Sequence, residues 1–162
     1  MLTKGISLIK FKKNLFESKV KKNLEILLKE KNEVINSLRG NYRDNFTKKL
    51  ITKYIKHKNF RIIGMGGSIL GAKAIYQFLK NRIKKNFVFV DNLQARAQKI
   101  KNKKYINLII SKSGNTVETI VNSNIHISKK DKNIFITENK KNYLNRLAEK
   151  LRSEIVHHNN YI

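Results

Sequence analysis

From Phe60 onward, short apolar runs alternate with stretches of helical period, and this alternation restricts the fold more than any other property of the sequence. The runs are Phe60 to Ile63, Phe87 to Val90, Ile106 to Ile110, Ile134 to Thr137 and Ile155 to His157. Helical spacing covers Ser68 to Lys80, Thr116 to Ile127 and Tyr143 to Leu151, with a weaker pattern from Leu93 to Lys99. Continuous apolar strands are covered on both faces, and each crossover helix covers one by burying its own stripe. The expected fold is therefore α/β, a doubly wound five-stranded parallel sheet. Such sheets bind ligands at the carboxyl ends of their strands, where the strand order reverses. In the order 2-1-3-4-5 that reversal lies between the first and third strands.

The segment before the sheet is of another kind. From Lys13 to Leu38 the apolar residues, Phe16, Val20, Leu24 and Leu27 among them, recur at intervals of three and four, which predicts one long helix with Gly40 as its C-cap. A shorter helix is expected from Asp44 to Lys56, with Leu50, Ile51, Tyr54 and Ile55 on its inner face. Residues 1–58 thus form a helical N-terminal segment without recognisable chemistry, packing on the following domain or on a partner subunit. Residues 59–162 form the ligand-binding domain.

Composition removes several classes of function. The chain has 162 residues, 40% of them apolar, enough for one core and a helical appendage. It has no cysteine, so neither a disulfide framework nor a thiolate metal site is expected. No metal or cofactor is implied by the histidines, of which only His157 and His158 are neighbours. No apolar run approaches the ~18 residues of a membrane span, and lysines interrupt the start MLTKGISLIKFKK, so a soluble cytoplasmic protein without a membrane partner is expected. The net charge of +25 suggests nucleic acid at first sight, but residues 1–60 carry 16 basic and 5 acidic side chains and residues 61–162 carry 20 and 6. An excess so evenly spread, in a chain dominated by lysine, isoleucine and asparagine, reads as a solvated surface shaped by codon bias. No specific nucleic-acid partner is expected, only salt-dependent sticking.

Two loops fall at the expected reversal point. The first, within RIIGMGGSILGAK, misses the dinucleotide fingerprint because Ile69 stands where its third glycine belongs. It misses the P-loop because Ala72 follows Gly71 and Lys73 comes one place late. What remains is a glycine-rich strand-to-helix turn with Ser68 as the expected N-cap; it is either an anion seat or an ordinary capped turn. The second, SKSGNT, supplies the hydroxyls of Ser111, Ser113 and Thr116, the cation of Lys112 and, at Gly114, close backbone access. A phosphate has three outward oxygens, which a ring of hydroxyls and amides suits well.

At these residues the sequence resembles a family. GMGGSILGAKAIY is similar to the G-x-G-G-S-x-L-G-x-K segment of glucose-6-phosphate isomerases, VDN at Val90 to Asn92 to their second-strand signature, and SKSGNTVET to their S-K-[ST]-x-x-T-x-E-T loop. The resemblance covers Phe60 to about Ile162 and implies a sugar isomerase domain. It implies an enzyme of glycolysis and gluconeogenesis that interconverts a phosphorylated aldose and ketose, glucose 6-phosphate and fructose 6-phosphate. It further implies that Gly67, Ser68, Ser111, Lys112, Ser113 and Thr116 grip the substrate phosphate. Asn115 departs from the family, which often has threonine there.

In that family a Gly-Gly-Arg segment and a second domain follow, carrying the glutamate that moves the proton and the histidine and lysine that assist ring opening. This sequence stops at HHNNYI. The expectation is a phosphosugar-binding part of an isomerase, from a fragment or a split gene. It would act only with the missing C-terminal half or a second subunit, and as a homo-oligomer in the full enzyme. No catalytic residue is assigned within it. Glu118 lies in a helix's first turn, where the dipole weakens it as a base, and His57, His126, His157 and His158 are scattered. The alternative is a stand-alone phosphosugar-binding or regulatory module without catalysis.

Overall fold

A computed structural model of the chain describes residues 17–37, 39–43, 45–93 and 104–159. The helix suggested at Leu93 to Lys99 falls almost wholly outside them. Eleven elements follow one another among the described residues: α1 (Glu17–Lys29), α2 (Glu33–Ser37), α3 (Lys48–Tyr54), β1 (Asn59–Ile63), α4 (Gly67–Leu79), β2 (Asn86–Val90), β3 (Ile106–Ile110), α5 (Val117–His126), β4 (Lys132–Glu138), α6 (Tyr143–Leu151) and β5 (Glu154–His158). They form two compact units, one up to Arg43 and one from Asp44.

In the first unit the single helix expected from Lys13 to Leu38 is two helices. The Asn32 side chain accepts a hydrogen bond from the Val34 amide at 2.8 Å, an Asx turn that starts α2 and competes with continuation of α1. Arg39 closes the unit by donating from Nη2 to the Leu28 carbonyl at 2.9 Å.

In the second unit the five strands are all parallel, in the order β2-β1-β3-β4-β5. Strand alternation sorts the apolar side chains onto two faces. On one face Ile63, Val90, Ile109 and Phe135 pack against Leu144 and Ala148 of α6 and Ile120 of α5. On the other, Phe60, Ile106 and Ile134 pack with Tyr54 and Leu50 of α3. Tyr76 of α4 lies on that same face, its ring centroid 5.3 Å from Phe87 and 5.6 Å from Phe89. Helix α3 therefore belongs to the sheet's own core.

The amino-terminal part of the first face is polar. Arg61, Asn107 and Asn133 stand in register on three neighbouring strands. Asn107 donates to the Asn133 Oδ1 at 2.8 Å, and Arg61 donates to the His126 carbonyl at 2.8 Å. Burial lowers the pKa of Arg61 from its ordinary value, and it lowers that of His126 too, with the Arg61 charge adding to the effect. The ladder satisfies buried polar groups that would otherwise oppose folding.

Candidate functional site

Strand β1 lies between β2 and β3, so the order reverses there. The connection after β1 and the one after β3 leave from the carboxyl ends of adjacent strands. They meet closely: a β-carbon at Gly64 would stand 2.9 Å from the Ile110 carbonyl oxygen, the last peptide before the hydroxyl loop. Only glycine allows that approach. The Gly64 amide bonds to the Val90 carbonyl at 3.2 Å, continuing the sheet toward β2 as well.

The first loop differs from expectation in its cap. Helix α4 begins at Gly67, and Gly66 is its N-cap, at φ 52° and ψ −126° with no side-chain cap bond. Ser68 is thus inside the first turn. Glycine's access to positive φ, not a serine hydroxyl, turns the chain into the helix. Gly67 is exposed and Ser68 partly so, and a β-carbon at either Gly66 or Gly67 would meet nothing within 4 Å. Lys73, a place late for a P-loop, is committed elsewhere: its Nζ pairs with the Asp91 carboxylate at the end of β2, 2.5 Å away.

The second loop is closed on itself. Ser111 is 2% exposed; its Oγ accepts from the Gly114 amide at 3.2 Å and lies 3.0 Å from Thr116 Oγ1. Thr116 is the N-cap residue of α5, yet its side chain does not cap the helix. Ser113 is exposed and accepts from the Asn115 amide at 3.3 Å, and the Lys112 side chain is exposed. Since Ser111 Oγ already accepts from an amide, its own hydrogen can point to Thr116. The Thr116 hydrogen is then left for an acceptor outside the loop. Such a chain polarises each donor in turn.

The structure therefore brings Ser111, Ser113 and Thr116 into one loop with Lys112 and sets Gly67 and Ser68 on the neighbouring strand's turn. It does not bring the histidines there. His57 precedes β1 and His126 ends α5, both at the amino edge of the sheet, while His157 and His158 lie on β5, separated from β3 by β4. Among the described residues no group of three or more His, Asp or Glu side chains could hold a metal ion, and no helix is long and apolar enough to cross a membrane. Sequence reasoning missed Asn142. It is buried, and its side chain lies behind Gly114, where an added β-carbon would overlap the Asn142 amide group. An asparagine just before the helical run Tyr143 to Leu151 was a readable N-cap signal; its contact with Gly114 was not.

Over 111 residues the chain is 40% identical to the glucose-6-phosphate isomerase of Methanocaldococcus jannaschii, which takes in 61% of this chain and 27% of that relative. It is 41% identical over 87 residues to the glucose-6-phosphate isomerase of Borrelia garinii subsp. bavariensis, across 46% of this chain and 16% of the relative. Over these stretches the chain is similar to the glucose-6-phosphate isomerases. It spans about a quarter or less of the length of these two. The glucose-6-phosphate isomerase of Acholeplasma laidlawii is 40% identical over 78 residues. No family model matches. Among solved structures, a hypothetical protein from Thermus thermophilus superposes with a TM-score of 0.60 at 20% identity, over 88% of this chain and 41% of that one, and so shares the fold.

Proposed function

We propose that the chain is the phosphate-holding part of a glucose-6-phosphate isomerase acting in the cytoplasm. In this reading the 6-phosphate sits between Gly67 and Ser68 on one side and Lys112, Ser113 and Thr116 on the other. Ser111 supports Thr116 from behind. The observation that carries the reading is the Thr116 hydroxyl, drawn off its own helix and aligned with Ser111 at the start of α5. A helix start whose cap residue leaves its amides to another acceptor is suited to an anion, and the dipole adds to the attraction.

Moving a proton between C1 and C2 requires a group poised near neutral pH within hydrogen-bond reach of both. The groups proposed here bind and orient. The proton transfer is assigned to polypeptide beyond the described residues, which in the relatives amounts to most of their length.

Calorimetric titration with glucose 6-phosphate and with glucose tests the binding. Glucose 6-phosphate should bind and glucose should not; equal affinities would remove the phosphate reading. Thr116→Ala should weaken binding about tenfold or more, the equivalent of one charge-assisted hydrogen bond. A coupled assay of fructose 6-phosphate conversion tests the division of labour. Without the base the chain alone should be slower by roughly 10²- to 10⁴-fold or more, and a polypeptide supplying the rest should restore activity. Turnover by the chain alone near ~10 per second, abolished by Thr116→Ala, would place a base within it.

A further inference from the structure

The first turn of α6 is bonded to the second loop and to its own cap at each of its three leading amides. Tyr143 N–H donates to Asn115 Oδ1 at 2.9 Å, Leu144 N–H to the Gly114 carbonyl at 3.1 Å, and Asn145 N–H to Asn142 Oδ1 at 2.8 Å. These amides have no partner inside their own helix and are ordinarily satisfied by a local cap or by water. Here two of the three are satisfied by the loop of a different crossover. The Asn142 side chain, pressed against Gly114, also donates to Thr137 Oγ1 at 3.2 Å, and the same Thr137 hydroxyl donates to the Lys112 carbonyl at 3.3 Å. The loop and the helix start therefore form one hydrogen-bonded unit. Neither opens without breaking bonds of the other.

We propose that Asn115 and Asn142 are positioning residues for the anion: they hold the loop so that Ser113 and Thr116 face one point, and they do so from behind, through α6. Asn115 accepts from the Tyr143 amide and acts on the ligand only through the backbone it anchors. The departure from threonine at this position thus changes how the loop is fastened, not what touches the phosphate. This inference rests on the phosphate reading above.

Linkage supplies the test. An anion that binds only the closed loop must stabilise the first turn of α6 by the same free energy. With glucose 6-phosphate at about 100 times its dissociation constant, amide exchange at Tyr143 and Leu144 should slow by up to ~100-fold wherever exchange requires the loop to open. The Ser153 amide at the far end of α6, bonded to the Ala148 carbonyl, should change little. Asn115→Ala should weaken glucose 6-phosphate binding about tenfold and abolish the protection at Tyr143. Asn115→Asp keeps an acceptor oxygen for that amide and should restore the protection at saturating ligand. A purely architectural Asn115 would lower the melting temperature on substitution and leave affinity unchanged, which would overturn the proposal. So would wild-type chain that binds glucose 6-phosphate while Tyr143 and Leu144 exchange at unaltered rates; the phosphate reading would then survive. If glucose 6-phosphate does not bind the wild-type chain at all, the phosphate reading fails and this inference with it.

Discussion

The glycine turn after β1 and the hydroxyl loop after β3 end adjacent strands, yet they keep their shapes by different means. Among the described residues the first is held chiefly by its backbone. Gly64 fits against the Ile110 carbonyl, Gly66 supplies the positive φ, and the space around Gly66 and Gly67 is open. The second is held by side chains. Ser111, Thr116, Asn115 and Asn142 all bond within it or behind it, and Gly114 is at once in the left-handed region, φ 66°, and pressed against a buried amide group. The difference teaches that two small-residue loops of similar composition need not tolerate change alike. Where the backbone does the work, a substitution is judged by φ and by the nearest atom. Where side chains do it, the partners behind the loop decide.

The comparison can be broken most directly at the glycines. Gly114→Ala forces a residue into the left-handed region and drives its β-carbon into Asn142, which then loses its cap bond to Asn145. The two effects together should cost on the order of 2 to 4 kcal/mol in urea denaturation. Gly67→Ala meets open space at the first position of α4 and should stay within about 0.5 kcal/mol. Equal losses at the two positions would show that the loops are not held differently.

Gly64→Ala comes next. Its added carbon would lie 2.9 Å from a backbone oxygen that no side-chain rotation can move, so β1 and β3 must separate at their carboxyl ends. Overpacking of this kind costs about 1 to 3 kcal/mol. Because the shift falls where the loops meet, glucose 6-phosphate affinity should fall as well. Destabilisation with unaltered affinity would mean that the loops do not share a ligand.

Much of this architecture was legible in the sequence, because apolar runs and helical stripes report burial directly. The strand Ile106–Ile110 and the helix Tyr143–Leu151 lie where their patterns placed them, and the order 2-1-3-4-5 put Gly64 and Ser111 side by side. What escaped depended on single backbone angles or on long-range polar contacts. Ser68 looked like a cap because serine commonly is one, but the positive φ of Gly66 had already turned the chain. The Asn32 side chain divided a helix whose apolar spacing read as continuous. Arg61 and Asn107 interrupted runs read as apolar, Asn133 lies in a strand that begins before its apolar run, and the clasp of Asn115 on Tyr143 joins residues 28 apart.

Acid should act on the second loop's side of the molecule before the first. His126 closes α5, the helix that the second loop opens, and its folded pKa lies below the ordinary value because of burial and the Arg61 charge. A depressed histidine binds fewer protons folded than unfolded. Its contribution to stability is therefore present above an unfolded pKa of about 6.5 and is lost as pH falls from there through the lower folded value. One such proton gives a slope of at most about 1.4 kcal/mol per pH unit. Amides of α5 should lose protection below pH 6.5 before those of α4, and His126→Gln should flatten that dependence. Simultaneous loss in both helices would contradict the assignment.

The smallest expected effect concerns a side-chain tie near the first loop, the pair of Lys73 on α4 with Asp91 after β2. Both groups reach solvent, at 41% and 26% side-chain exposure, so screening and the entropy of two long side chains offset most of the attraction. Lys73→Met should therefore lower stability by no more than about 1 kcal/mol, and the difference should shrink as salt is raised from 0.05 to about 0.5 M, where the Debye length is a few ångströms. Affinity for glucose 6-phosphate should hold within about threefold, because a lysine already neutralised by Asp91 has little charge to offer an anion. A tenfold loss of affinity without loss of stability would give Lys73 to the ligand instead. The first loop would then depend on a side chain as the second does, and the contrast between them would close.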